Sequence, residues 1–250
     1  MTGLAFIIVL IVIGFFSGVV ASAAGLASLV CYPGLIAVGL SPVAANVTGT
    51  FAMVFSGIGA VASSRGELRD HWGEVLKVTP LTLAGCIVGA LMLFTFPEKD
   101  FALIAPFFIL LSAVLVLLPR RTNHLSGDHR SWQTVVAWCA IFFVGLYSGY
   151  FGAASGVLML AILNVISGAP FKEYNAIKNL VMAFANLVSM VVYALKTTIL
   201  WADIVPLAVG FLMGGYLGPK IVRRVQQGVM KSVVALGAIV LSGWLFYRAV

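Results

Sequence analysis

Charged side chains are scarce in this sequence. Only 9% of the 250 residues are charged, whereas a soluble domain carries roughly 25%. Hydrophobic residues make up 62% of the chain, and the mean hydropathy is +1.10. A chain of this length cannot keep so much apolar surface out of water by folding on itself. The sequence therefore predicts an all-α integral membrane protein, with the lipid bilayer as its main surrounding.

Acidic residues are missing from the interior of the apolar runs. Cation pumps and many proton-coupled carriers use an intramembrane carboxylate, so a cation-pump function is disfavoured. An intramembrane aspartyl protease is disfavoured too, because it needs two buried Asp residues. The eight acidic residues lie in loops or at the ends of runs: Glu67, Asp70, Glu74, Glu98, Asp100, Asp128, Glu173 and Asp203.

Histidine and cysteine are equally sparse and form no ligand pattern. The histidines lie in loops, and the cysteines lie inside apolar runs without a CxxC pair, so no metal and no cofactor is expected. No acid or base stands beside a nucleophile at membrane depth, and no GK[ST] motif occurs, which argues against an enzyme and against ATP drive. The residues concerned are His71, His124, His129, Cys31, Cys86 and Cys139.

The formal net charge of +7 comes from Lys and Arg in short loops. No basic stretch is interleaved with aromatic residues, so a nucleic-acid partner is not expected. The excess is interpreted as the positive-inside bias of a membrane protein. Because no Lys or Arg precedes Arg65, residues 1–22 are predicted to be a retained first span rather than a signal peptide.

The apolar runs predict about ten helical segments, eight long and two short. A full span needs roughly 20 residues, and the second and seventh runs are shorter than that. Each short run follows a Gly-rich break, at 17–25 and 148–156, a pattern typical of transporter binding sites. The segments are 4–23, 26–38, 44–62, 74–96, 101–119, 133–151, 154–167, 174–195, 201–220 and 229–248.

The two halves of the chain resemble each other. We predict a first transmembrane repeat at 1–119, a cytoplasmic linker at 120–131 and a second repeat at 132–250. Five segments per half is an odd number, so the second half must enter from the opposite side, as an inverted repeat. Gly14, Ser17, Gly18 and Gly25 match Gly145, Ser148, Gly149 and Gly156 at an offset of 131; Asn46, Met53 and Trp72 match Asn175, Met182 and Trp201 at 129; Pro80, Leu81 and Gly89 match Pro206, Leu207 and Gly215 at 126.

The distribution of basic residues predicts the topology. Ten crossings place 11 Lys and Arg residues on one side and 3 on the other, with Lys178 inside a segment. If the short runs instead entered and left on one side, the basic loops at 120–130 and 220–231 would fall on opposite sides. The positive-inside rule therefore favours ten crossings with both termini in the periplasm.

One helical face carries most of the candidate binding residues. At 100° per residue, a stripe of the eighth segment holds three amides and one ammonium, which would be costly against lipid. An ammonium with amides and no carboxylate suits an anion. Two other interpretations stay open: Lys178 snorkels to the interface, or the amides only bond neighbouring helices. The substrate-binding candidates on the stripe are Asn175, Lys178, Asn179 and Asn186, and Met182, Ser189 and Tyr193 share its face.

The first half and the two breaks supply the remaining candidates. Asn46 and Thr50 lie on the matching face of the third segment. Each break ends one helix and starts another, and a helix N-terminus offers free N–H groups to an anion. Tight packing, or a simple hairpin at each break, is the alternative. The break residues expected to bind are Ser22, Gly25, Ser155 and Gly156.

At these residues the chain resembles the TauE/SafE family of sulfite and organosulfonate exporters. The resemblance rests on GFFSGVVASAAG and GLYSGYFGAASG, each followed by an apolar run and an Asn-containing block. It implies a secondary transporter that moves small sulfur-containing or related organic anions across the bacterial inner membrane by alternating access. A passive anion channel and an intramembrane enzyme or accessory subunit are the alternatives, and the oligomeric state is left open.

Overall fold

A computed structural model describes residues 3–95, 131–152, 155–167 and 169–224. These residues form nine helices and no strand, which confirms the all-α prediction. The predicted segments 101–119 and 229–248, and nearly all of the predicted linker 120–131, lie outside the described residues.

The helix bounds lie within three residues of the predicted segments. Five of the described helices are long and apolar enough to cross a membrane, and two others have only 11 and 12 residues, Ala27–Ala37 and Ser155–Ile166. The four-residue helix Arg65–Leu68 was not predicted, because it lies in a charged loop. The helices are α1 Gly3–Ala24, α2 Ala27–Ala37, α3 Pro42–Ser63, α4 Arg65–Leu68, α5 Trp72–Leu93, α6 Ser131–Tyr150, α7 Ser155–Ile166, α8 Phe171–Lys196 and α9 Trp201–Val222.

Glycines let two helix pairs pack backbone against backbone. A methyl group on Gly85 would meet the carbonyl of Phe142, and one on Gly89 would meet that of Leu146. Because the residue numbers rise together, α5 and α6 run in the same direction. The helices α1 and α9 are parallel by the same test, with Gly210 against Ile11 and Gly214 against Phe15. Small residues are what such close approach in a membrane requires.

Side-chain contacts fix the directions of α3 and α8. The ring of Phe51 packs on Trp201, and Arg223 donates to the Ser63 carbonyl, so α3 runs parallel to α9. Gly57 of α3 adjoins Ala183, and Asn46 lies near Tyr193, so α8 runs antiparallel to α3. Contacts of His71 with Glu173 and of Cys86 with Ser189 place α8 parallel to α5.

These directions make α1–α2 and α6–α7 two helical hairpins. Since α1 and α3 are both parallel to α9, α2 must lead back to the end where α1 began, and its Gly34 adjoins Ile13. The same reasoning applies to α7, because α6 and α8 are both parallel to α5. The hairpins enter from opposite ends, and their turns meet where a Cβ on Gly25 would lie 2.7 Å from Cα of Gly156.

The meeting point of the turns modifies the predicted topology. Beside it, Ser56 Oγ donates to the Gly18 carbonyl, and Ser56 lies well inside the 22-residue α3. The described helices keep the directions that ten crossings require, but each hairpin turns inside the bundle rather than at its far end.

The packing of one half corresponds to that of the other. Glycine contacts between α1 and α9 have counterparts between α6 and α5. Adding 131 to a residue number in α1 gives its counterpart in α6, and adding 125 to a residue number in α5 gives its counterpart in α9. The second offset is one residue shorter than the spacing of Pro80 and Pro206, on which the sequence match rests. The inverted repeat stays a prediction, and this correspondence supports it.

Basic side chains gather at one end of the bundle, which we call the basic end. It is the end where α3 and α9 finish and where α5, α6 and α8 begin. Of the described residues, Arg65, Arg69, Lys77, Lys172, Lys220, Arg223 and Arg224 lie there, and Lys196 lies at the opposite end. Arg223 binds Glu67 and thereby ties α9 to α4.

His71 joins α5 to α8 at the basic end. Its Nε2 lies 2.9 Å from Glu173 Oε2, and its Nδ1 lies 3.4 Å from Glu74 Oε1. Partial burial of the ring lowers the pKa of His71, but hydrogen bonds and charges from Glu173 and Glu74 outweigh it, so the pKa is raised overall.

We expect His71→Asn to destabilise the protein more in mild acid than in mild alkali. The raised pKa means that charged His71 contributes its full stability below its unfolded pKa of about 6.5, and loses it as pH rises through the folded value. The contribution is at most about 1 kcal/mol, or about 2–4 °C in Tm. Thermal unfolding of both proteins in detergent between pH 5.5 and 9 checks this; a Tm gap that does not narrow with pH contradicts it.

Candidate functional site

The polar stripe of α8 faces the protein interior. Lys178 is 1% exposed and Asn175 is 2% exposed, whereas Leu195 on the other side of the helix is 80% exposed. The 3.6-residue period of α8 therefore separates a lipid-facing surface from a buried polar one, as predicted.

Lys178 does not snorkel to the membrane surface. Its Nζ donates to the carbonyl oxygens of Ala21 at 3.0 Å and Ser22 at 3.4 Å. Both belong to the last turn of α1, where the helix dipole is negative, and the Ala21 carbonyl also accepts the Gly25 N–H at 2.8 Å. The snorkelling interpretation is wrong because the end of α1 offers the ammonium a buried site.

Two amides of the stripe share the same acceptor. Nδ2 of Asn175 and Nδ2 of Asn179 each donate to the Ser22 carbonyl at 3.1 Å. In this state the amides bond a neighbouring helix, as the alternative interpretation held, rather than presenting free donors to an anion. Asn175 Oδ1 is buried without a hydrogen-bond partner among the described residues.

A pocket lies between the two hairpin turns, enclosed by α3 and α8. Eight of the ten predicted site residues line it, and the other two, Asn46 and Asn175, lie outside the lining. Asn46 instead donates through Nδ2 to the Tyr150 carbonyl at 3.3 Å. The predicted residues brought together here are Ser22, Gly25, Thr50, Ser155, Gly156, Lys178, Asn179 and Asn186.

Three serines that were not predicted also line the pocket: Ser28, Ser56 and Ser148. Ser148 could have been found, because it is the Ser of the second GxxSG block. Ser28 and Ser56 carried no signal, since each is a single small residue in an apolar helix.

One basic side chain lines the pocket. Among the lining residues of the described chain, Lys178 alone is ionisable, and the remaining polar groups are amides and hydroxyls. The Ser22 and Ser155 hydroxyls donate back to the carbonyls of Gly18 and Gly152, at 2.8 and 2.9 Å, so the O–H donors of both are already used in this state. A buried ammonium among neutral polar groups attracts a small anion.

The two breaks are built differently, and this places Lys178. In the second half α6 closes at Gly152, whose φ is +72°, a conformation that favours glycine. Its counterpart at an offset of 131 is Ala21, so α1 continues for another turn and closes at Gly25, whose φ is +77°. The extra turn carries the Ala21 and Ser22 carbonyls to the ammonium of Lys178.

Comparison with known proteins finds similar sequences along nearly the whole chain. The family model described as Sulfite exporter TauE/SafE matches residues 10–245. The "Probable membrane transporter protein YfcA" of Escherichia coli K12 is 24% identical over 96% of this chain and 89% of its own length. A "Probable membrane transporter protein" of Haemophilus influenzae is 23% identical, covering 98% and 96% of the two chains. No solved structure matches.

Proposed function

Because this chain belongs to the sulfite exporter TauE/SafE family, we propose that it is a secondary transporter of small anions, with sulfite and organosulfonates as substrates. The observation that carries the proposal is the buried ammonium of Lys178 in a pocket between the two breaks. Thr50, Ser155, Asn179 and Asn186 surround the bound anion, and Lys178 supplies the charge that selects it.

Alternating access is favoured over a passive channel. The two hairpin turns touch at Gly25 and Gly156, so their backbones close the middle of the bundle beside the pocket. A carrier needs such a closure on each side of its site in turn, whereas a channel needs a continuous polar path. Because the two hairpins enter from opposite ends of the bundle, one can close the pocket towards one side of the membrane and the other can close it towards the opposite side.

We also propose the placement of the protein in the cell. It lies in the bacterial inner membrane, with the basic end in the cytoplasm by the positive-inside rule. Since α1 begins at the opposite end, the N-terminus is periplasmic. The ten segments predicted from the sequence put the C-terminus there too.

Lys178→Ala is expected to reduce anion uptake by about tenfold or more. A hydrogen bond to a charged group contributes about 1.5–3 kcal/mol, and about 1.4 kcal/mol corresponds to a factor of ten. The measurement is uptake of labelled sulfoacetate and sulfite into proteoliposomes. Lys172→Ala is the matched control, because Lys172 is an exposed lysine on the same helix.

Each result has a defined meaning. Full uptake by a folded Lys178→Ala protein would falsify the anion site, and an equal fall with Lys172→Ala would point to surface charge instead. Unlabelled sulfoacetate inside the vesicles should accelerate entry of the labelled solute if the protein is a carrier. Uptake that neither saturates nor accelerates would favour the channel.

A further inference from the structure

The end of α6 is held by two buried side chains from α3 and α8. The Tyr193 hydroxyl donates to the Gly149 carbonyl at 2.5 Å, and Asn46 Nδ2 donates to the Tyr150 carbonyl. Tyr193 is fully buried and Asn46 is 6% exposed. Both acceptors belong to the last turn of α6, whose carbonyls have no partner within the helix.

We infer that Tyr193 and Asn46 are positioning residues: they keep the end of α6, where the second break begins, docked against α3 and α8. The first break is held by donors that include Lys178, which lines the pocket, whereas Tyr193 and Asn46 are neutral and lie outside the lining. The ends of α1 and α6 are therefore held in place by separate sets of hydrogen-bond donors. The inference rests on the proposed function only in that transport requires these helix ends to move apart from their donors.

Two native cysteines report on the two breaks separately. The Cys86 thiol of α5 lies between α5 and α8, 3.0 Å from Ser189 Oγ and 3.2 Å from the Ala185 carbonyl. Because α5 packs tightly on α6, moving the end of α6 away from α8 exposes this thiol. Cys31, on α2, is 1% exposed and adjoins Gly49 of α3, so it reports on the first hairpin.

The experiment measures thiol labelling in the absence of any transported solute. Full-length protein carrying Cys139→Ser, which removes the exposed thiol, is treated in detergent with a small water-soluble thiosulfonate. Peptide mass spectrometry then gives the rates at Cys86 and Cys31. The variants are Tyr193→Phe and Asn46→Ala. Tyr174→Phe is the matched control, since its hydroxyl, on the same helix, bonds Asn164 of α7 instead.

Tyr193→Phe should raise the labelling rate of Cys86 about fivefold and leave Cys31 within about twofold. Removing one donor weakens the closed state by about one hydrogen bond, and labelling follows the fraction of open molecules. Asn46→Ala should act in the same direction, and Tyr174→Phe should change neither rate. An unchanged Cys86 rate in both variants overturns the inference, and so does an equal rise at Cys31, which indicates general loosening. Because no solute is present, a failure here is distinct from a failure of the proposed anion transport.

Discussion

Gly25→Ala should be among the most damaging single substitutions in this protein. The new Cβ would lie 2.7 Å from Cα of Gly156, where no flexible side chain can move aside, and the φ of +77° disfavours any L side chain. The strain contributes about 1–2 kcal/mol and the overpacking about 1–3 kcal/mol, so the expected loss is about 3 kcal/mol. We also expect anion uptake to be lost, because the turns can no longer meet.

Two further glycines separate the two causes. Gly156→Ala, in helical backbone, tests the clash alone: its Cβ would lie 2.6 Å from Cα of Gly25. Gly39→Ala tests the strain alone, since Gly39 has a φ of +104° and nothing lies within 4 Å of the added carbon. In thermal unfolding in detergent, Gly25→Ala should lose the most stability of the three variants. In the uptake measurement, Gly39→Ala should retain anion uptake. If Gly156→Ala is as stable as the parent in detergent, the two turns are not in contact.

Lys178→Glu is the second substitution with a large expected effect. It would place a carboxylate against the carbonyls of Ala21 and Ser22 and remove the Nζ donor that both accept. Leaving a buried charge without compensation costs about 3–5 kcal/mol. Lys178→Gln keeps an uncharged N–H donor on a side chain one bond shorter and should lose only about 1 kcal/mol.

The comparison of these two variants isolates charge from hydrogen bonding. Thermal unfolding is again the measurement, and the fraction of monodisperse protein after solubilisation is a second one. Equal stability of Lys178→Glu and Lys178→Gln would mean that the side chain reaches water, in disagreement with its burial. Both variants should take up sulfoacetate about tenfold or more slowly than the parent, because neither carries the positive charge.

Periodicity was enough to find the stripe of α8 but not to find its partner. Spacing alone placed Asn175, Lys178 and Asn179 on one buried face. Their acceptor, the Ser22 carbonyl, is more than 150 residues away in the chain, and a backbone oxygen has no signature in the sequence. Consequently the amides were predicted to be free for an anion, although two of them are already bonded.

The depth of the breaks could not be predicted either. A run of about 22 apolar residues predicts a complete membrane span. The prediction is the same whether the helix ends at the membrane surface or inside the bundle against the turn of another hairpin. The glycines that decide this, Gly25 and Gly156, are among 26 in the chain. Likewise, the sequence match of Pro80 to Pro206 has an offset of 126, whereas the glycine contacts of α5 and α9 correspond at an offset of 125.

The contact between Gly25 and Gly156 has a mechanical consequence. Backbone meets backbone at these two glycines, and beside them the rings of Tyr32 and Phe151 pack edge to face across the two hairpins at 5.3 Å. Each pair of touching atoms contributes only about 0.1–0.2 kcal/mol. The glycine contact therefore sets how closely the two hairpins approach each other. The hydrogen bonds that hold them in place lie about a turn away, at the carbonyl ends of α1 and α6.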